Sequence, residues 1–132
     1  MTAADGPDEV GAVICVVVSD LTGVLGELVI QLIEQQPDMV LAQQTSGVLD
    51  LLQVMGPDVD VLILGAAEVH PPPGICSHLL QEYPHLRILV LAQNGGDAAL
   101  YWLGLRRERI GNVSSGSLAH TIRRAYTLNA TV

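Results

Sequence analysis

Ser19 and Asp20 close an apolar run and are followed by Leu21-Thr22-Gly23, so a carboxylate and two hydroxyls meet where a strand reads as turning into a helix. Two chemistries use such a corner: clustered acids hold a divalent cation, and a Ser/Thr/Gly loop at a helix N-terminus takes a phosphate. Glu68 could add a loop oxygen just after the most apolar stretch of the chain, Val59 to Ala67. Asp60 could not, because it starts that stretch and lies five residues before Gly65, roughly 16 Å away in an extended strand. The stretch ends in Gly65-Ala66-Ala67, whose side chains supply no nucleophile, acid, base or metal ligand. His70, His78, His85, His120 and Cys76 are metal-ligand types, but Cys76 and His78 point differently on one helix and His120 belongs to another. They read as structural or surface residues, and neither a metal nor any other cofactor is expected.

The elements that must position these groups alternate. Val13 to Val18 is an unbroken apolar run, β-branched except at Cys15, which reads as a buried first strand. Leu21, Val24, Leu25, Leu28, Val29, Leu32 and Ile33 then follow the stripe of an amphipathic helix, stopped by Pro37-Asp38. Met39 to Ala42 is a short second strand, and Val48, Leu51, Leu52 and Met55 make a short helix closed by Gly56-Pro57. The third strand, running to Gly65, is apolar throughout, as in a sheet covered on both faces. Beyond Pro71-Pro72-Pro73-Gly74 a helix carries Ile75, Leu79 and Leu80, and Arg87 to Leu91 is the fourth strand. Gln93-Asn94-Gly95-Gly96-Asp97 is turn chemistry, and Asp97 is read as capping a helix over Ala98–Gly104. The fifth strand is placed at Arg109–Val113, and Ser114-Ser115-Gly116-Ser117 caps a last helix bearing Leu118, Ile122, Ala125 and Tyr126.

Composition agrees with that alternation. Hydrophobic residues are 49% and charged residues 15% of 132, with no Phe, so the core must be aliphatic, as parallel sheets favour. The reading is an α/β fold: a single doubly wound (βα)5 flavodoxin-like domain with a parallel five-stranded sheet of order 2-1-3-4-5. Residues 1–11 are expected to be a flexible acidic tail, 12–129 the domain and 130–132 a C-terminal end. The net charge of −8, with six arginines and no lysine, argues against direct nucleic-acid or anionic-membrane binding and excludes lysine chemistry. Cys15 and Cys76 read as small buried residues without a disulfide, and the lack of a basic-apolar leader or a long apolar run points to the cytoplasm.

Val16-Val17-Val18-Ser19-Asp20, Pro57-Asp58 through Leu64, Tyr83-Pro84-His85-Leu86-Arg87-Ile88-Leu89-Val90-Leu91 and Ser117 to Arg124, in this order and spacing, resemble the receiver domain of two-component response regulators. The likeness spans Ala12 to Leu128. It implies a phosphoacceptor aspartate ending the third strand, an acid pair after the first, a hydroxyl ending the fourth and a lysine ending the fifth. Magnesium and the lysine would neutralise the phosphoryl oxygens. Here those positions fall on Gly65, on Ser19 and Asp20, on Ala92, and on Ser115 or Ser114, while the usual aromatic switch falls near Asn112. The resemblance therefore implies a degenerate, pseudo-receiver member of the family, a signal-transduction protein that is not an enzyme.

Receivers commonly signal and dimerise through their fourth helix, fifth strand and fifth helix, which fall here on Ala98 to Leu105, Arg109 to Val113 and Leu118 to Leu128. Tyr101, Trp102, Leu105, Arg106, Arg107 and Arg109 cluster there, and aromatics and arginine are enriched in interfaces. The plainer account makes Leu100 and Leu103 core, Trp102 half-buried and the arginines a solvated edge. The expectation is a protein-interaction module binding a protein partner or itself as a homodimer. Two other readings stand beside it: a small-ligand or nucleotide-binding flavodoxin-like domain using Ser19 to Gly23, and the receiver-like part of a transcription regulator lacking its DNA-binding domain. Against the former, Asp20 would repel an anion, and capping by Asp20 or Thr22 is the simpler role.

Overall fold

A computed structural model describes residues 13–70, 73–94, 96–103, 106–110 and 115–130. The elements are β1 Ile14–Ser19, α1 Gly23–Glu34, β2 Met39–Thr45, α2 Val48–Val54, β3 Val61–Ala66, α3 Gly74–Glu82, β4 Arg87–Ala92, β5 Ala98–Trp102, β6 Arg106–Arg109 and α4 Ser115–Ala130. They form an α/β layer structure around one six-stranded sheet of order β2-β1-β3-β4-β5-β6. The first four strands are mutually parallel, as their helical connections require, and the arrangement is compatible with a flavodoxin-like fold.

Side-chain alternation along each strand splits the core into two layers. On one face Val16, Val18, Val61, Ile63, Leu89 and Leu91 pack under α1 and α4; on the other Val17, Leu62, Leu64, Ile88 and Val90 pack under α2 and α3. The aliphatic character of β1, β3 and β4 follows from that double coverage. In α1 the apolar stripe is narrower than its spacing suggests: Val29 and Ile33 are buried, whereas Val24 is 72% exposed and Leu28 49% exposed. In α2 only Leu51 of the helix proper is buried, with Met55 just beyond it, and Val48 and Leu52 are exposed.

The C-terminal half differs from the sequence expectation. Ala98–Gly104 is not a crossover helix: β5 pairs antiparallel with β4, with Leu91 opposite Ala98 and Ile88 opposite Tyr101. A connection of five residues, 93–97, is too short for a parallel crossover but suits a hairpin. It is closed by Ala92 N–H donating to the Asp97 carbonyl at 3.0 Å, and by the Asp97 carboxylate accepting the Ala98 N–H at 2.9 Å. Asp97 thus caps a turn rather than a helix. Ala98, Ala99, Leu100 and Tyr101 are all at most 2% exposed, a run of burial that only an element covered on both faces can reach.

A second hairpin returns the chain as β6, with Trp102 opposite Arg106 and Ala99 opposite Arg109. The fifth parallel strand expected at Arg109–Val113 is therefore replaced by β6 at Arg106–Arg109, and residues 111–113 lie outside the described residues. So do residues 1–11, Leu105, Ser114 and residues 131–132. The last helix falls where its pattern places it, with Leu118, Ile122 and Ala125 buried and Tyr126 packed at the edge of the same layer. No helix among the described residues is long and apolar enough to cross a membrane.

Candidate functional site: the rim at the C-terminal ends of the strands

In doubly wound sheets chemistry gathers at the carboxyl ends of the strands. Here β1 delivers Ser19 and Asp20, β3 delivers Gly65 and Ala66, and β4 delivers Ala92 and Gln93 to that rim. Ser19 is fully buried and stands opposite Leu64 in the ladder, while Asp20 takes a left-handed backbone conformation with φ 62°. Asp is among the residues that tolerate this region, and the conformation turns the chain sharply out of the sheet.

The Asp20 carboxylate is committed to the β2–α2 side of the rim. Its Oδ1 accepts the Gly47 N–H at 2.9 Å and its Oδ2 accepts the Ser19 hydroxyl at 3.2 Å, while the Asp20 N–H donates to the Thr45 carbonyl at 3.1 Å. Its main-chain carbonyl points the other way and accepts a hydrogen bond from Gln93 Nε2. Gln93 is itself held by its backbone N–H, which donates to the Ala66 carbonyl at 2.9 Å. The ends of β1, β3 and β4 are thus tied through one backbone carbonyl and one carboxamide.

Gly65 sits beneath that tie. A Cβ at position 65 would stand 2.8 Å from Gln93 Nε2 and 2.8 Å from the Asp20 carbonyl carbon, and closer still to the carbonyl oxygen. The glycine is required by this close approach of backbone to backbone. Ala92 is 5% exposed and faces Ala66 across the ladder, so the position brings no hydroxyl to the rim. Ser115 begins α4, and its side chain lies outside the described residues.

The remaining candidates disperse. The Asp60 carboxylate accepts the Cys15 N–H at 2.9 Å, at the opposite end of β3 from Gly65, where it substitutes for a ladder partner. Glu68 and His70 line an open cleft of about 350 Å³ with Asn94 and Asp97, beyond the ends of β3 and β4. His85 Nε2 bonds the Val59 carbonyl at 3.0 Å, and His78 and His120 are exposed. Among the described residues no three His, Cys, Asp or Glu side chains converge as a metal site would require. Burial pushes the Cys76 thiol up to about 12; burial, then the charges of Asp58 and Asp60, raises that of Cys15, and both thiols are free.

Of the candidate interface residues, Tyr101 is 1% exposed and its hydroxyl donates to the Val69 carbonyl at 2.5 Å. The loop carrying Val69 covers the sheet face over β5. Tyr101 therefore belongs to the core, whereas Trp102 is half-buried against the α1–α4 layer and Leu103 is 49% exposed. Arg106, Arg107 and Arg109 occupy β6, the outer strand of the sheet, and their side chains lie outside the described residues. Two residues that organise the rim, Gln93 and Thr45, carry no sequence signal, since an amide in a turn and a threonine ending a strand are ordinary surface choices. No protein-family model, curated protein or solved structure matches the chain.

Proposed function

We propose that this chain is a receiver-like signalling module that works without aspartyl phosphorylation and acts by binding a protein partner or a second copy of itself. The observation that carries the reading is the close approach at Gly65, where the Asp20 carbonyl and Gln93 occupy the space an acceptor side chain would need. The acid that directly follows β1, Asp20, is engaged by Gly47 and Ser19, and the chain has no lysine to neutralise a phosphoryl group. The binding surface is assigned to the β5, β6 and α4 edge. There Trp102 and Leu103 present apolar surface beside a strand holding three of the six arginines, a composition suited to interfaces.

The test is a titration of the purified full chain with magnesium and beryllofluoride, followed by amide NMR, together with mass spectrometry after acetyl phosphate. The expected result is no saturable shift at Asp20, Gly65 or Gln93 and no covalent phosphoryl adduct. Saturable shifts at those amides would overturn the reading in favour of a domain whose rim binds an ion or anion.

A further inference from the structure

The outer edge of β2 lies at the opposite side of the sheet from β5 and β6. Among the described residues β2 pairs only with β1, and Val40, Ala42, Gln43 and Gln44 are exposed along it. It contains no charged residue and no proline, two of the devices that normally blunt a free edge. The Thr45 carbonyl faces β1, where it accepts the Asp20 N–H, so strand alternation turns the Gln44 backbone groups toward the open side.

Two open clefts adjoin the C-terminal end of this edge, at Gln43 to Thr45, one beside α1 and one beside α2. Glu27, Ile30, Gln31 and Gln44 line one of about 430 Å³ beside α1. Asp20, Asp50, Gln53 and Val54 line the other, of about 530 Å³, beside α2. A strand added to β2 would bring the side chains beside Gln43 and Gln44 to these two clefts, with main-chain hydrogen bonds giving affinity and the clefts giving selectivity. The two clefts hold three carboxylates and no cationic side chain, on a chain whose net charge is −8.

We infer that the β2 edge is a strand-addition site for an extended, basic segment of a partner protein, with arginine or lysine facing at least one cleft and small aliphatic residues meeting Ile30 or Val54. A second copy of β2 fits poorly. It would bring Glu27, Asp20 and Asp50 of two chains, like charges, to one seam.

The probe is an eight-residue peptide alternating arginine and valine, fluorescently labelled and titrated against the full chain, with a peptide of glutamate and valine as its counterpart. Saturable binding of the basic peptide alone is expected, with slowed amide exchange at Gln44. Gln44→Pro, which removes the outward N–H, should weaken binding at least tenfold while Gln44→Ala retains most of it. The exposed pair Glu27→Arg and Asp50→Arg should also weaken it at least tenfold, with an unchanged circular dichroism spectrum confirming the fold. Equal binding of both peptides, undiminished binding to Gln44→Pro, or protection of Gln44 in a concentration-dependent dimer without peptide would each overturn the inference. None of these readouts involves the Gly65 rim, so loss of this proposal and loss of the phosphorylation-independent reading are separately visible.

Discussion

The α-carbon of Gly65 lies so close to the main-chain carbonyl of Asp20 that no side chain fits between them. Gly65→Ala should therefore destabilise the protein by about 1–3 kcal/mol, as overpacking of a well-packed interior does, and Gly65→Asp by more because it also buries a carboxyl. Urea unfolding of both variants checks this. Gly65→Asp should remain unlabelled by acetyl phosphate.

Asp20 combines a left-handed backbone with an acceptor for the Gly47 N–H. Asp20→Asn keeps both features and should change stability by less than about 0.5 kcal/mol, whereas Asp20→Ala loses both and should cost about 1–2 kcal/mol. Denaturant midpoints of the two variants, compared side by side, separate a conformational role for this acid from an electrostatic one.

Tyr101→Phe removes the buried hydrogen bond from the Tyr101 hydroxyl to the Val69 carbonyl. A loss of about 1–2 kcal/mol is expected. Amide exchange should quicken around Val69 before it does in β4, because the loop is the layer that this bond fastens over β5.

Arg123 joins α4 to the start of β2: its Nε lies 2.8 Å from Asp38 Oδ2, and its Nη2 lies 2.9 Å from Asp38 Oδ1 and 2.7 Å from Gln36 Oε1. The hydrogen bond from Arg123 holds the Asp38 carboxyl below its ordinary value. A depressed folded value means that the stabilisation is complete above the unfolded value of about 3.9 and is lost as pH falls through the folded one. Both side chains are more than a third exposed, so solvent screening limits the pair to about 0.2–1 kcal/mol. Asp38→Asn should cost that much at pH 7, and the difference in urea midpoint should shrink toward zero in strong acid.

Both thiols should be slow toward Ellman's reagent in the folded protein at pH 8, Cys76 the slower, since raised values leave little thiolate. In denaturant both should react at once. A fast native thiol would show that the environment of Cys15 or Cys76 is other than described.

Strands β1 to β4 and the helices between them were legible because short apolar runs bounded by turn residues alternate with apolar stripes of helical spacing. The stretch from Ala98 to Leu103 was not. A short apolar run has no diagnostic period, Asp97 is an equally good residue for a helix cap and for a turn, and the alternation of the preceding four strands with helices favoured a fifth crossover. Tyr101 and Trp102, both good strand formers, were the available signal. At the rim the type of residue 65 was readable, but the reason for it was not. The contact with Asp20 joins positions far apart in sequence, and its other half is a backbone carbonyl, which leaves no trace in residue identity.

The meander of β4, β5 and β6 has a consequence for how the chain assembles. Leu91 meets Ala98 and Trp102 meets Arg106 across only a few residues, whereas Val16 must find Val61 across a helix, a strand and a second helix. Loop closure favours the nearer pairings, so the antiparallel end of the sheet carries the low contact order and the parallel end carries the entropy of long loops. Folding should begin at that antiparallel end, with the pairing of β1 and β3, the longest closure in the sheet, forming last.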